Sequence, residues 1–477
     1  MMDFSETLAS LFSKGVKVRW PLNATVLSRM TVCSPLPVAK AIRIMVIPRA
    51  TAVVAILMIL GDTRFSFPEV SRNRFAIKNG KFNLFLDSMV KNTFLFLLLL
   101  GASLSSYAQK TPLPGANHFE DYKNQLQGKR VGVVTHHASL IVHPEDTLHL
   151  IDFLLENQVQ VVKIFGPEHG FRGDAYDGKI VDDDTDPKTG LPVISIYGKN
   201  KKPQPEQLQD VDVLIFDLQD VGARFYTYLS SLYLLMEAAA ENRLPLIVLD
   251  RPNPNGHYVD GPVLDLKHKS FVGMLPIPVV HGMTLGEMAQ MINGENWLPN
   301  GLQCDLQVIK VSNYDHCSRV TLPVAPSPNL PNAQAVALYP SLCFMEKTVM
   351  SIGRGTSMQF QVYGHPDYAT KTFQFTPQPN QGSKYPKLEG QVAYGVDLRE
   401  VNVADRLDLQ WLMDAYTHTK VEGDFFMDSF EILSGTDTLR KQIQAGMSED
   451  AIRDSWQEGL MAFKAKRKNY ILYTDFE

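Results

Sequence analysis

Val161-Val162-Lys163-Ile164-Phe165 runs directly into Gly166-Pro167-Glu168-His169-Gly170, and this junction decides the fold. A short β-branched run that stops at a Pro/Gly-bounded loop reads as a buried strand ending in a turn. In an open α/β sheet, the loop beyond a strand's carboxyl end is where ligands bind. This loop sets Glu168 beside His169, and Phe171-Arg172-Gly173-Asp174 adds a guanidinium and a second acid. Proton transfer needs such groups, held on short loops anchored by a rigid strand. Taken alone, the loop reads equally well as a surface turn with incidental charges. Three further loops of the same kind tip the balance.

Lys129–Thr135 is a strand closed by His136-His137-Ala138-Ser139. Val211–Phe216 is another, closed by Asp217-Leu218-Gln219-Asp220, and Leu244–Leu249 a third, closed by Asp250-Arg251-Pro252-Asn253-Pro254-Asn255-Gly256. Between strands, Leu229, Leu232, Leu235, Met236, Ala239 and Ala240 recur at the period of a helix face. Strand–helix–strand alternation predicts a parallel, Rossmann-like sheet, with all four polar loops on one edge. Pro276–Val280, His281-Gly282-Met283-Thr284 and Leu285–Asn293 read as one more strand–loop–helix unit.

The loop after Phe216 is the densest, with Asp217, Gln219, Asp220, Arg224, Tyr226 and Tyr228 inside twelve residues. An acid there also serves as a helix N-cap, which is an equal reading for Asp220. Arg224 is then only its partner, and the tyrosines ordinary helix-face packing. Asn253-Pro254-Asn255-Gly256 makes a tight turn whatever its function.

The second half is less legible. Pro326–Asn332, containing Asn329, is a stiff polar loop. Ser351-Ile352-Gly353-Arg354-Gly355-Thr356 sets a guanidinium among glycines, suited to an anion, with Glu346 just before it. Gln374–Lys387 reads as loop, and Asp408–Thr417 and Glu449–Lys464 as amphipathic helices. An α+β domain that closes over the sheet edge would set these loops opposite the first four.

The N-terminal quarter reads as processing sequence. Met89-Val90-Lys91-Asn92, the apolar Phe94–Leu100 and the small-residue site Ser106-Tyr107-Ala108 have the order of a signal peptide. This predicts residues 1–88 as a mis-assigned upstream start, 89–108 as the signal, cleavage before Gln109, and an exported, periplasmic protein. The domains expected after it are 109–315, Rossmann-like and catalytic, and 316–477, auxiliary. Neither apolar run, Phe94–Leu100 or Thr51–Leu60, is long enough to span a bilayer, so no stable membrane insertion is expected after cleavage.

The composition is that of a soluble globular protein, 45% hydrophobic and 20% charged. A net charge of -5 gives no basic field for nucleic acid. Cys304, Cys317 and Cys343 are too widely spaced for a disulfide framework or a zinc site, although an oxidising compartment would allow one pair. The chain lacks the glycine fingerprint of dinucleotide sites, the phosphate-binding P-loop, His-Glu-x-x-His and Gly-x-Ser-x-Gly. No cofactor and no catalytic metal are therefore expected; a metal held by His136, His137 or His169 is the minority reading.

Phe165–Gly173, Asp217–Tyr228, Asp250–Gly256, His281–Gly286 and Ser351–Thr356 together resemble the exo-β-N-acetylmuramidase family, a glycoside hydrolase family long catalogued as a domain of unknown function. The resemblance runs from about Gly128 to the C-terminus in matching order. It implies a Rossmann-like domain, a smaller auxiliary domain with the cleft between them, and release of N-acetylmuramic acid from the non-reducing ends of peptidoglycan glycans. It also implies Glu168 as the catalytic residue. The family usually has Thr-Asn where this chain has Thr135-His136, and Glu-Gly-Thr where it has Glu346-Lys347-Thr348.

Most glycosidases use an acid to protonate the leaving oxygen and a second group at the sugar carbon. Glu168 is the expected acid, and Asp217 or Asp220 the base, with His169 and Arg172 as orienters. The substrate's own 2-acetamido group is the alternative to a base. Candidate substrate contacts are Arg172, Gln219, Arg224, Tyr226, Tyr228, Asp250, Arg251, Asn253, His281, Asn329, Glu346 and Arg354. Of these, Arg224 or Arg354 would meet the lactyl carboxylate of muramic acid. The expected partners are peptidoglycan-derived glycans or muropeptides. A non-catalytic periplasmic sugar- or muropeptide-binding protein is the rival reading, and a metal-dependent amidase a third.

Overall fold

A computed structural model describes residues 111–142, 147–168, 170–171 and 184–477. The proposed upstream segment, the signal peptide, His169 and Arg172 lie outside the described residues. All described residues fall in one compact unit, Ala76–Glu477.

The strands in chain order are β1 Val131–Thr135, β2 Leu140–Val142, β3 Thr147–His149, β4 Val161–Gly166, β5 Asp184–Thr185, β6 Pro192–Ser195, β7 Val213–Asp217, β8 Leu246–Leu249, β9 Leu306–Ile309, β10 Val362–His365, β11 Gln374–Phe375 and β12 Ala393–Asp397. Seven form the main sheet in the order β5-β6-β4-β1-β7-β8-β9. Every pairing is parallel except β5 with β6. Without β5, this is the Rossmann order, which changes direction between β1 and β7 and opens its crevice at their carboxyl ends. β10, β12 and β11 make a separate antiparallel sheet in the smaller C-terminal part, and β2 and β3 a short hairpin.

The strands form because both their faces are covered. Val131, Val133, Val213, Ile215, Ile247 and Leu249 point to one core, with Leu150, Ile151 and Leu154 of the helix Leu150–Glu156. Val134, Phe165, Leu214, Phe216, Leu246 and Val248 point to the other. There they meet the helices Tyr228–Asn242 and Leu285–Gly294, and the same core continues into the C-terminal part.

Three expectations are corrected. Pro276–Val280 is not a strand; only Val280 makes isolated bridges, to Ala223 and Asp260. Pro276 and Pro278 lack the N–H groups a ladder requires. The strands actually added to the main sheet are β5, β6 and β9, short and partly or fully exposed. Glu449–Lys464 is not one helix but two, Glu449–Asp454 and Gln457–Arg467.

Candidate active site

The parallel register brings Thr135 level with Asp217, and Val134 level with both Phe165 and Phe216. The loops that follow therefore converge, as the alternation predicts. Their polar side chains divide into two groups, one spent inside the protein and one facing a cavity.

The first group lies over β7 and β8. Asp217 is fully buried, and Arg251 grips it through Nε at 2.5 Å and Nη2 at 2.9 Å. Asp250 accepts from the Arg251 and Gly286 backbones, from Thr284 Oγ1 and from Tyr473 Oη. It thereby ties the strand end to the N-terminus of the helix Leu285–Gly294. Gln219 donates to the Asp220 and Pro252 carbonyls, and Asn253 to that of Met283. Gly222 has φ +77°, and a Cβ there would lie 2.1 Å from Asn253 Oδ1, so only glycine fits. Asp220 is buried, accepts from Gly222 N at 2.7 Å, and is pushed up to about 7 by burial. His281 is buried too, its pKa pushed down to about 3.

Asp217 and Asp220, the expected bases, are therefore not on the cavity wall. Gln219, Asp250, Arg251, Asn253 and His281 are likewise saturated from within or sealed from solvent. Arg224 needs the same correction. It is 1% exposed, and its two terminal nitrogens hold the carbonyls of Pro262, Ile277, Leu433 and Ser434. A guanidinium fastening four backbone acceptors between remote segments is a structural clasp, not a ligand contact.

The second group lines a cavity of about 430 Å³ at the end of β4, within the range of small-ligand sites. Glu168, Tyr226, Tyr228, Asn329, Glu346 and Arg354 all lie on its wall, so the structure brings these six expected residues together. Glu168 is 9% exposed, and its Oε2 accepts from Thr227 Oγ1 at 2.7 Å. Tyr226 and Tyr228 pack edge to face at 4.9 Å between centroids. Burial raises the pKa of both phenols, keeping them neutral hydrogen-bonding groups. Arg354 donates from Nε to Glu346 Oε1 at 2.6 Å and lies 5.0 Å from the Phe360 ring centroid.

Behind this wall stands His136, fully buried. The backbone N–H of Gln219 donates to its Nε2 at 3.0 Å, so a neutral ring carries its proton on Nδ1, 3.2 Å from Tyr228 Oη. The Tyr228 hydroxyl lies 3.4 Å from the Glu168 carbonyl. The residue that departs from the usual Thr-Asn thus fixes the tyrosine beside the acid.

Sequence reasoning missed Tyr197, Lys201, Thr227, Phe271, Tyr339 and Phe360, all on the same wall. Only Thr227 carried a signal, its place one residue before the helix Tyr228–Asn242. A second, open cavity of about 670 Å³ shares Ser327 with the first. Its described lining includes Thr356, Gln359, Gln378, Asn380 and Gln381 and, among the described residues, no Asp, Glu, Lys or Arg. Among the described residues, no group of three or more His, Cys, Asp or Glu side chains could hold a metal, and no helix is long and apolar enough to cross a membrane.

A Rossmann-type sheet, joined to a smaller sheet and bearing a polar cavity with two carboxyl groups on its described wall, defines a two-part α/β protein with a small-ligand site. Residues 131–334 match the family model for the N-terminal part of the exo-β-N-acetylmuramidase NamZ, and residues 337–473 the model for its C-terminal part. The chain belongs to the exo-β-N-acetylmuramidase family. It is 38% identical over 384 residues to the peptidoglycan β-N-acetylmuramidase NamZ of Bacillus subtilis, covering 74% of this chain and 89% of that one. Two crystal structures of DUF1343 family proteins from Bacteroides fragilis are similar. One has a TM-score of 0.70 at 45% identity, covering 77% of this chain and all of the other. The second has a TM-score of 0.66 at 30% identity, covering 76% of this chain and 99% of the other.

Proposed function

We propose that the protein releases N-acetylmuramic acid from the non-reducing ends of peptidoglycan fragments, with Glu168 as the proton donor. The observation that carries this is the Glu168 carboxyl, almost buried at the end of β4 on the wall of the cavity and steadied by Thr227. A general acid must be held within reach of the leaving oxygen and kept from bulk water. Tyr226, Tyr228, Tyr339 and Phe360 supply the apolar and hydroxyl surface a sugar ring uses. The neighbouring groove, uncharged and rich in side-chain amides, suits the neutral sugars of the departing glycan.

With Asp217 and Asp220 committed elsewhere, two routes complete the chemistry. Glu346 is the other carboxylate on the cavity wall among the described residues. The substrate's 2-acetamido oxygen is the alternative nucleophile. Glu346→Gln separates them, since it removes turnover on the first route and leaves the larger share of it on the second.

The reading also includes export to the periplasm and a role in cell-wall turnover. Its test is hydrolysis of a chromogenic β-N-acetylmuramide, with product analysis on peptidoglycan fragments. Binding without turnover would favour the non-catalytic sugar-binding reading. Mature protein whose first residue is not near Gln109 would overturn the export assignment.

A further inference from the structure

Among the described residues, four charged ones line the cavity at the end of β4: Glu168, Lys201, Glu346 and Arg354. Glu346 and Arg354 pair with each other at 2.6 Å, and Arg354 lies against the Phe360 ring. Lys201 stands apart. Its ammonium lies 4.7 Å from the centroid of Phe271, itself paired with Tyr197 at 5.9 Å, and it forms no ion pair with any described residue. The adjacent Lys202 is used differently. Its Nζ meets Glu237 at 2.7 Å and Glu241 at 2.9 Å, fastening the loop to the helix Tyr228–Asn242. One lysine of the pair anchors the loop, and the other is delivered to the cavity on an aromatic shelf.

We propose that Lys201 is the specificity-determining cation of the site, meeting the lactyl carboxylate of the muramic acid unit. This inference rests on the function proposed above. A sugar ring is neutral, so a cation that has no carboxylate partner among the described residues, on the wall of a sugar cavity, is matched to an acidic substituent. The aromatic face steadies the ammonium without neutralising it, because cation–π attraction leaves its three donors open to an anion. Arg354 is less available, since turning it to a ligand would cost its contact with Glu346, and Arg224 is sealed under four carbonyls. An ammonium on a flexible stem also follows a freely rotating lactyl arm more readily than a planar fork does.

The test is calorimetric binding of free N-acetylmuramic acid and of its lactyl primary amide, which has the same shape without the charge. Wild-type protein, Lys201→Met, Lys201→Arg and Arg354→Met are compared, with circular dichroism confirming the fold of each. Wild type should bind the acid roughly tenfold to a hundredfold more tightly than the amide, less so at high salt. Lys201→Met should bind the two alike, while Lys201→Arg keeps most of the preference. An intact preference in Lys201→Met, an equal loss for both ligands, or a selective loss in Arg354→Met instead, overturns the assignment to Lys201 while leaving the proposed function standing. Failure of wild type to bind either ligand or to hydrolyse the muramide overturns the proposed function, and this inference with it.

Discussion

The loops after β7 and β8 carry more charge per residue than the cavity wall, yet they are the quieter region chemically. Over those two strands, Asp217 with Arg251, Asp250 with its four donors, and Asp220 on Gly222 form a network that faces inward. On the cavity wall, Glu168 and Lys201 have few partners among the described residues and face open space. Both regions follow strands of one parallel sheet and look alike as strings of residues. The difference is access: Asp217 and Asp250 are matched from within, and Asp220, whose Oδ1 has no hydrogen-bond partner among the described residues, is sealed from solvent, so none has much left to offer a ligand. The inward network serves the site indirectly, by fixing the loops from which Thr227, Tyr226 and Tyr228 reach the cavity.

The sharpest way to break this contrast is Glu168→Gln. The amide keeps an acceptor for Thr227 but has no proton for the leaving oxygen, so turnover of a chromogenic muramide should fall by roughly 10²–10⁴. Denaturant unfolding should move by less than about 1 kcal/mol. Near wild-type turnover would shift the acid elsewhere on the wall, with Glu346 next.

Asp217→Ala should do the reverse. It strands the Arg251 guanidinium in the interior, a change that costs about 3–5 kcal/mol when a buried pair is broken. Urea midpoints would register that loss, while kcat per folded molecule stays within a few-fold of wild type. Full stability with abolished turnover would return Asp217 to the catalytic role first expected of it.

That expectation shows where legibility ends. The central strands were readable because Val131–Thr135, Val161–Gly166 and Val213–Asp217 are short apolar runs closed by turn residues, and burial on both faces demands that composition. Pro276–Val280 has the same apolar look, but its prolines exclude a ladder. β6 and β9 are edge-side strands with partly exposed positions, so their composition does not announce them. The place of Glu168 on the cavity wall was legible because its loop follows a strand directly. Arg224 and Asp220 were not separable from ligand-binding groups, since the carbonyls of Leu433 and Ser434 that occupy Arg224 lie some two hundred residues away. Lys201, Phe271, Tyr339 and Phe360 are in no motif, and only folding assembles them around Glu168.

Asp220 offers a smaller effect with a defined sign. Burial raises its carboxyl from 3.8 to about 7, so between those values the folded protein holds a proton that the unfolded chain releases. Its contribution to stability is greatest below about pH 4 and is lost as pH rises through 7. Asp220→Asn keeps an acceptor for Gly222 and cannot ionise. Its urea stability relative to wild type should therefore improve between pH 4.5 and 7.5, by an amount on the order of a few kcal/mol at most. A stability difference that is flat across this range would mean that Asp220 is ionised and stabilised in the fold, and that the inward network is less closed than its geometry implies.

Thr227→Val gives the smallest effect and sharpens the boundary between the two regions, because Thr227 sits on it. The residue starts the helix Tyr228–Asn242, yet its side chain makes no capping bond there. Its hydroxyl donates to Glu168 Oε2 at 2.7 Å. Among the described residues, the only bond lost in the valine variant is thus the one to the Glu168 carboxyl, while shape and β-branching are kept. A hydrogen bond to an ionisable group contributes about 1.5–3 kcal/mol, so kcat/KM should fall by roughly tenfold to a hundredfold. Stability should change by less than about 1 kcal/mol, since one hydrogen bond at a cavity wall is lost and no packing changes. Loss of stability at unchanged kcat/KM would place Thr227 with Asp217 and Arg251, among residues that hold the loops rather than serve the acid. The catalytic wall would then begin at Glu168 itself, with nothing between it and the backbone of β4 to set its direction.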